Sequence, residues 1–356
     1  MTLPEFASSL HLPDLLENTQ NAADWSARRR ELLRLLEQYD YGVTPPAVPA
    51  VGEEGKRDDG FCAGKGESWE TVVSFDTPKG RFSFPVFVGM PKTGRPCPTV
   101  VFLNFRPDVP DKYLPAEELI DRGYGFARIY YQDVTSDDAD LTNGLAGMFG
   151  LAGRGPDGMG KIGCWAYAAS RCLDYLLTIP EVDPARVAVC GHSRLGKTAL
   201  WCGAQDERFA AVFGNNAGAG GDAVYRGKRG EQIADLVRVF PYWFCPRLAE
   251  YAGREADFPL DQHFLLAAAA PRPVAVVGAE EDIWADPVAQ LISCAAASDA
   301  YRLLGKKGIV LPEELPAPGT ALIGDGVGFL HRPHRHALCR TDWNFYLDFW
   351  EAQRDR

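Results

Sequence analysis

The sequence predicts an α/β protein: a mostly parallel, twisted central sheet with helices on both faces, a three-layer sandwich. Three observations predict it. Short, continuous apolar runs recur after residue 98 (PTVVFLNF, GFARIYY, RVAVCG, AAVFGNNAG and PRPVAVVGAE), and such runs suit strands buried on both faces. Helical stretches lie between and after them, namely AEELIDRG, CWAYAASRCLDYLLT, RLGKTALWCGAQ, ADPVAQLISCAAASDAYRLL and TDWNFYLDFWEAQ. Strands alternating with helices imply parallel pairing through right-handed crossovers. No shift of composition divides the 356 residues, and one large α/β domain can fill that length. A single domain over 1–356 is expected, with 1–65 as a helical extension and connector packed on it.

The elements follow in order. DWSARRRELLRLLEQ (24–38) reads as a helix with Asp24 as N-cap and Leu32, Leu33, Leu35 and Leu36 as its apolar stripe. TPPAVPAVGEEGKRDDG is a connector rich in Pro, Gly and charge. WETVVSFDT and GRFSFPVFVG, split at Pro78-Lys79, signal a β-hairpin at one antiparallel edge of the sheet. Two long irregular stretches interrupt the rest: 132–160, rich in Gly and Asp, and 216–233, rich in Gly and basic residues. Loops of that length are usually functional or mobile.

Bulk properties exclude several function classes. The net charge is −11 and the pI about 5.1, which argues against nucleic acid and anionic membrane surfaces as partners, since both need a basic face. No apolar run reaches the ~20 residues of a spanning helix. MTLPEFASSLHLPDLL lacks a basic stretch followed by an apolar core, so a cytoplasmic protein is expected, or a secreted one if a leader has been removed. Nine cysteines without a CxxC pair read as free thiols in a reducing compartment.

Chemistry concentrates at RVAVCGHSRLGK (186–197). A strand, a serine and a helix in succession describe a nucleophile elbow of the α/β-hydrolase kind, in which small residues let the backbone turn sharply and expose the hydroxyl. Here the second glycine comes three residues after Ser193 rather than two, and a plain serine N-cap reads equally well. In this fold an acid and then a histidine follow the serine along the chain. Glu280, Glu281, Asp282 and Asp286 lie just past the end of PVAVVGA, at the sheet edge where ligand groups collect. His331, His334 and His336 lie before the last helix, and His263 precedes them. The pattern alone leaves open which acid and which histidine serve. The His-x-x-His-x-His spacing could also bind metal, but no carboxylate lies close by in sequence, and a solvent-facing basic loop is the simpler reading.

The runs GHSRLGKTALW, DERFAAVFGNNAGAGGDAVYRGKRGE, FPYWFC, PLDQHFLLAAAAPRPV, AEEDIWADP and RPHRHALCRTDW resemble the glucuronoyl esterases, carbohydrate esterase family 15, especially their bacterial members. Weaker likeness reaches back to DWSARRRELL, so the resemblance covers nearly the whole chain. It implies Ser193 as nucleophile and His336 as base; His331 and His334 do not match. Some members carry a glutamate acid where this chain has Asn216, and others an aspartate that matches Asp282, so the resemblance implies Asp282. It further implies Arg194 at the oxyanion hole, and Lys197, Glu231 and Trp284 as substrate-binding residues. Where some members carry a bridged cysteine beside the nucleophile, this chain has His192. His263 reads as a packing or capping residue.

The function implied is hydrolysis of esters of glucuronic or 4-O-methyl-glucuronic acid, as in lignin–carbohydrate linkages, through an acyl-enzyme. No metal or cofactor is expected. The expected partner is a glucuronate ester or a glucuronoxylan-derived oligosaccharide. Two alternatives stand beside it: an acetylxylan or other carbohydrate acetyl esterase, and a non-catalytic binding protein on a hydrolase fold.

Overall fold

The computed structural model describes residues 1–354. The chain opens with helices α1 (Leu3–Ser9) and α2 (Trp25–Leu36). Strands β1 (Val51–Glu54), β2 (Gly66–Thr77), β3 (Gly80–Pro91) and β4 (Cys97–Asn104) follow, then α3 (Ala116–Asp121), β5 (Gly125–Tyr130), α4 (Tyr131–Val134) and α5 (Gly144–Phe149). The chain continues with α6 (Lys161–Leu176), β6 (Val182–His192), α7 (Arg194–Gln205), β7 (Ala211–Asn215), α8 (Ile233–Val239) and α9 (His263–Ala267). It closes with β8 (Val274–Ala279), α10 (Pro287–Leu303), β9 (Thr320–Ile323), β10 (Val327–Arg332) and α11 (Arg340–Ala352).

These strands form one ten-stranded mixed sheet in the order β1-β2-β3-β5-β4-β6-β7-β8-β10-β9. From β5 to β10 every neighbouring pair is parallel. The hairpin β2–β3 and β1 make one antiparallel edge, and β9 makes the other. The central strands bury both faces, as their unbroken apolar runs require. Val101, Leu103, Val189, Val212 and Val276 point into one core, packed by α6 and α7. Their neighbours Val100, Phe102, Cys190, Phe213 and Val277 point into a second core, closed by α3 and α11. This alternation is the two-residue period of a strand. The result is a three-layer α/β-hydrolase sandwich.

Four local expectations need correction. The stretch 132–160 is not wholly irregular, since it holds most of α4 and all of α5. Asp24 does not cap α2: its backbone is helical, and its carboxylate turns back to accept from the N–H groups of Gln20 and Asn21 at 3.1 and 3.2 Å. The connector is not wholly irregular, because Val51–Glu54 pairs with β2. Part of the stretch expected as a loop before the last helix is strand β10, which takes His331 into the sheet. The stripe of α2 packs on the core, with Leu32 and Leu36 fully buried and Leu33 and Leu35 half-buried beside them. The helix is docked by Trp25 and Arg29, which donate to the Ala270, Ala268 and Ala204 carbonyls.

Candidate active site

Parallel strands β6, β8 and β10 end on the same edge of the sheet, and each delivers one group. Ser193 follows β6 directly, with φ 58° and ψ −128°, a region that disfavours side chains. Its N–H donates to the Asn215 carbonyl at 2.8 Å, and its side chain makes no capping bond to α7. The N-cap reading therefore falls: a capping serine would have extended backbone and an engaged hydroxyl. The glycine spacing also finds its reason. A Cβ on Gly191 would stand 2.0 Å from the Leu195 carbonyl, and one on Gly196 would meet Ala217 and the Asn215 carbonyl at 3.1 Å. Gly196, not residue 195, is the position of this turn that packs against the end of β7.

Asp282 lies on the loop after β8 and His336 on the loop after β10. His336 Nδ1 sits 2.6 Å from Asp282 Oδ2. Asp282 is buried, and its other oxygen accepts from the Ala285 N–H at 3.2 Å. Burial alone would raise its carboxyl, but the bond to His336 and the charge of that ring outweigh burial and hold it below the usual range. The rival acids are engaged elsewhere. Asp286 caps α10 through the N–H groups of Val288 and Ala289, and Glu281 pairs with exposed Arg335 at 3.2 Å. Asn216 is a strut: it accepts from the Ala279 N–H at 2.9 Å and donates to the Ala337 carbonyl at 3.1 Å, joining the ends of β7 and β8 to the His336 loop.

Ser193, Asp282 and His336 line one cavity of about 320 Å³ together with Arg194, Lys197, Glu231 and Trp284. All seven residues singled out in the sequence thus meet in one place. Lys197, one helical turn after Ser193, is buried. Its ammonium donates to the Ala217 and Ala219 carbonyls, both at 2.5 Å, and to Glu231 Oε2 at 3.1 Å. Those are all three of its protons, so a sugar hydroxyl could receive one only by displacing a partner. Glu231 Oε1 accepts from Trp284 Nε1 at 3.2 Å, leaving lone pairs on both carboxylate oxygens for a ligand. Trp284 is 53% exposed at the rim, and its carbonyl is held by Lys228 Nζ at 2.6 Å and by the Glu231 N–H at 3.1 Å. The wall and the Asp282 loop are therefore zipped together.

Arg194 brings in residues that sequence reasoning missed. Its guanidinium pairs with Asp137 and lies over Trp243, 4.8 Å from the ring centroid, with Phe105 and Phe240 at 5.6 Å. Asp137 also accepts from Trp243 Nε1 at 2.8 Å. It stands in the Gly/Asp-rich stretch 132–160, where TSDDAD offers three aspartates with nothing to separate them; Trp243 stands in FPYWFC. Three other histidines weighed in the sequence, His331, His334 and His263, do not join the cavity. His331 Nδ1 bonds the Pro316 carbonyl from inside β10, His334 is exposed, and His263 donates to Pro13 at the far end of the chain. All nine cysteines are free thiols.

A strained serine, a histidine held by a buried carboxylate, and the unpaired N–H groups at the start of α7 make an arrangement suited to acyl transfer.

Comparison with known proteins gives consistent relatives. A family model described as glucuronyl esterase, fungi, matches residues 73–305. Carbohydrate esterase MZ0003, from an unknown prokaryotic organism, is 39% identical over 238 residues, 65% of this chain and 54% of that protein. A 4-O-methyl-glucuronoyl methylesterase 1 of Wolfiporia cocos is 28% identical over 80% of this chain and 69% of its own length. The chain thus spans about half to two thirds of the curated relatives it matches. Among solved structures, a glucuronoyl esterase from Solibacter usitatus superposes with a TM-score of 0.89 at 31% identity, covering 96% of this chain and 98% of that one. A CE15 glucuronoyl esterase from Teredinibacter turnerae gives 0.88 at 30%, covering 98% and 90%.

Proposed function

The chain belongs to the glucuronoyl esterases of carbohydrate esterase family 15, and from that membership we propose that it hydrolyses esters of glucuronic or 4-O-methyl-glucuronic acid. One observation carries the reading: the His336–Asp282 pair and the Lys197–Glu231–Trp284 wall line the same cavity as Ser193. The wall offers a carboxylate for sugar hydroxyls and an indole face for the ring.

Each residue then has a task. Ser193 Oγ attacks the C6 carbonyl carbon while His336 Nε2 takes its proton. Asp282 fixes the imidazole as the Nδ1–H tautomer and balances the charge the ring gains. The carbonyl oxygen, now negative, faces Arg194 and the first N–H groups of α7; Asp137 and Trp243 hold the guanidinium in place. The tetrahedral intermediate collapses, the C–O bond to the alcohol breaks, and His336 gives the alcohol its proton. Water, deprotonated by His336, attacks the acyl-Ser193 ester and releases the uronate. Lys197, with its protons committed, serves by fixing Glu231 and the 217–219 backbone.

A paired assay tests this. Purified protein is given benzyl glucuronate and, separately, acetylated xylan. Release of glucuronate from the first, lost in Ser193→Ala, is expected. Acetate release from the second without cleavage of the first would replace this reading with a carbohydrate acetyl esterase. Cleavage of neither would favour a binding protein.

A further inference from the structure

His192 precedes the nucleophile and has no part in the chemistry above, yet its ring packs on the base. The His192 and His336 ring centroids are 4.5 Å apart, tilted by 42°. His192 is buried, with Tyr113 and Phe105 against it at 5.7 and 6.1 Å. Its Nδ1 lies 2.6 Å from Asn215 Oδ1. Asn215 is itself oriented, since its Nδ2 donates to Asp342 at 3.1 Å and its Oδ1 also accepts from Asn216. The oxygen therefore faces His192, and Nδ1 must carry the hydrogen.

The chain of contacts returns to its start. Asp342 pairs with Arg332 at 2.9 Å, and Arg332 donates to the Pro333, Arg335 and Ala337 carbonyls, the loop that carries His336. The base is thus gripped by its backbone on one side of the ring of contacts and by the face of His192 on the other.

We propose that His192 is a positioning residue for the general base: its ring, packed against His336, keeps the imidazole turned between Asp282 and Ser193 while the proton moves. The claim rests on the reading of Ser193 and His336 as nucleophile and base. The charged and titratable groups near His192 are His336, Asp282 and the Tyr113 phenol. Burial first, then the charge of His336, push the His192 ring down to about 3, so it stays neutral when His336 becomes a cation. A neutral ring tolerates that cation, where a second imidazolium would repel it.

The test uses a small alkyl fluorophosphonate, which reports on the Ser–His pair without any sugar. Ser193 Oγ bonds to phosphorus, fluoride leaves, and His336 takes the proton. The first-order rate constant does not depend on how much of a variant is folded. His192→Phe keeps the ring and loses the Nδ1 donor; His192→Gln keeps a donor for Asn215 and loses the ring. His192→Gln is expected to react about tenfold more slowly or worse, since small misplacement of a reacting group is expensive, and His192→Phe within about threefold of wild type. His192→Gln at the wild-type rate, or His192→Phe as slow as His192→Gln, overturns the proposal. Wild-type protein that is phosphonylated but leaves glucuronate esters intact fails the function proposed above and leaves the role of His192 standing. Wild-type protein that does not react at all overturns both.

Discussion

At the scale of single residues, Ser193 holds a backbone conformation that costs on the order of 1–3 kcal/mol, and the proposed nucleophilic role gives that cost its reason. Ser193→Gly should therefore abolish turnover while raising the unfolding free energy by about 1 kcal/mol; chemical denaturation of the two proteins side by side checks it. Ser193→Ala should lose activity without that gain, since Cβ and the strain remain. Asp282→Asn should cut kcat by roughly ten-thousandfold, because the amide orients the imidazole in the wrong tautomer; near-full activity in a steady-state assay would return the role to Glu281 or Asp286. Asn216→Asp is different in kind. From sequence it looks nearly silent, a carboxylate restored where some relatives carry one. In the structure the new oxygen would face the Ala337 carbonyl and Asn215 Oδ1 in a buried site. It should lower stability by about 1–3 kcal/mol, the cost of unmade buried hydrogen bonds, visible as a lower Tm. The proposed nucleophile was half legible in the sequence: strand, serine and helix stand in order, but backbone strain does not show in letters. The carboxylate that meets His336 was not legible from local pattern, because Glu281, Asp282 and Asp286 share one loop and only the fold decides which one faces the ring.

At the scale of elements, legibility followed hydrophobic period. The buried parallel strands β4 to β8 and helices α6, α7, α10 and α11 announce themselves by apolar runs or stripes. Strand β10 does not: GDGVGFLHR is diluted by glycine, and its partner β8 supplies the burial that defines it. Helix α9, five residues long, is too short for a helical stripe. Its first residue, His263, is buried and donates to Pro13 at 3.0 Å. Burial, the largest cause, pushes its ring down to about 4. Between pH 6.5 and 4 the unfolded chain binds a proton there that the folded chain refuses, so this group's contribution to stability falls as pH falls. Buried Asp40 and Asp222 act oppositely. Burial raises them to about 7 and about 6, so the folded chain keeps protons the unfolded chain gives up, and their contribution falls as pH rises from about 4. A variant comparison isolates His263. His263→Phe loses the bond to Pro13 and should melt below wild type at pH 7, and the gap should narrow as pH falls toward 4. A gap that stays constant would mean His263 is charged in the folded protein.

At the scale of the whole molecule, one sheet edge gathers the parts. Ser193, Asp282 and His336 arrive from the ends of three parallel strands, and the loops after β7 and β8 are zipped into a wall beside them. The family resemblance was legible because the site draws on segments spread between Ser193 and His336, each with its own recognisable run. The second set of partners, Asp137 for Arg194 and the Asn215–Asp342–Arg332 chain behind His192, was not, since each joins segments that no local spacing relates. The central claim is that one cavity couples an acyl-transfer centre to a wall that reads a uronate ring. Glu231→Gln tests it most directly, with kcat/KM measured on methyl glucuronate and on 4-nitrophenyl acetate in the same preparation. A hydrogen bond to a charged group is worth about 1.5–3 kcal/mol, so the glucuronate ester should lose about 10–100-fold in kcat/KM, while the acetate, which does not reach the wall, stays within about threefold. Equal losses on both substrates, or none on either, would contradict the account.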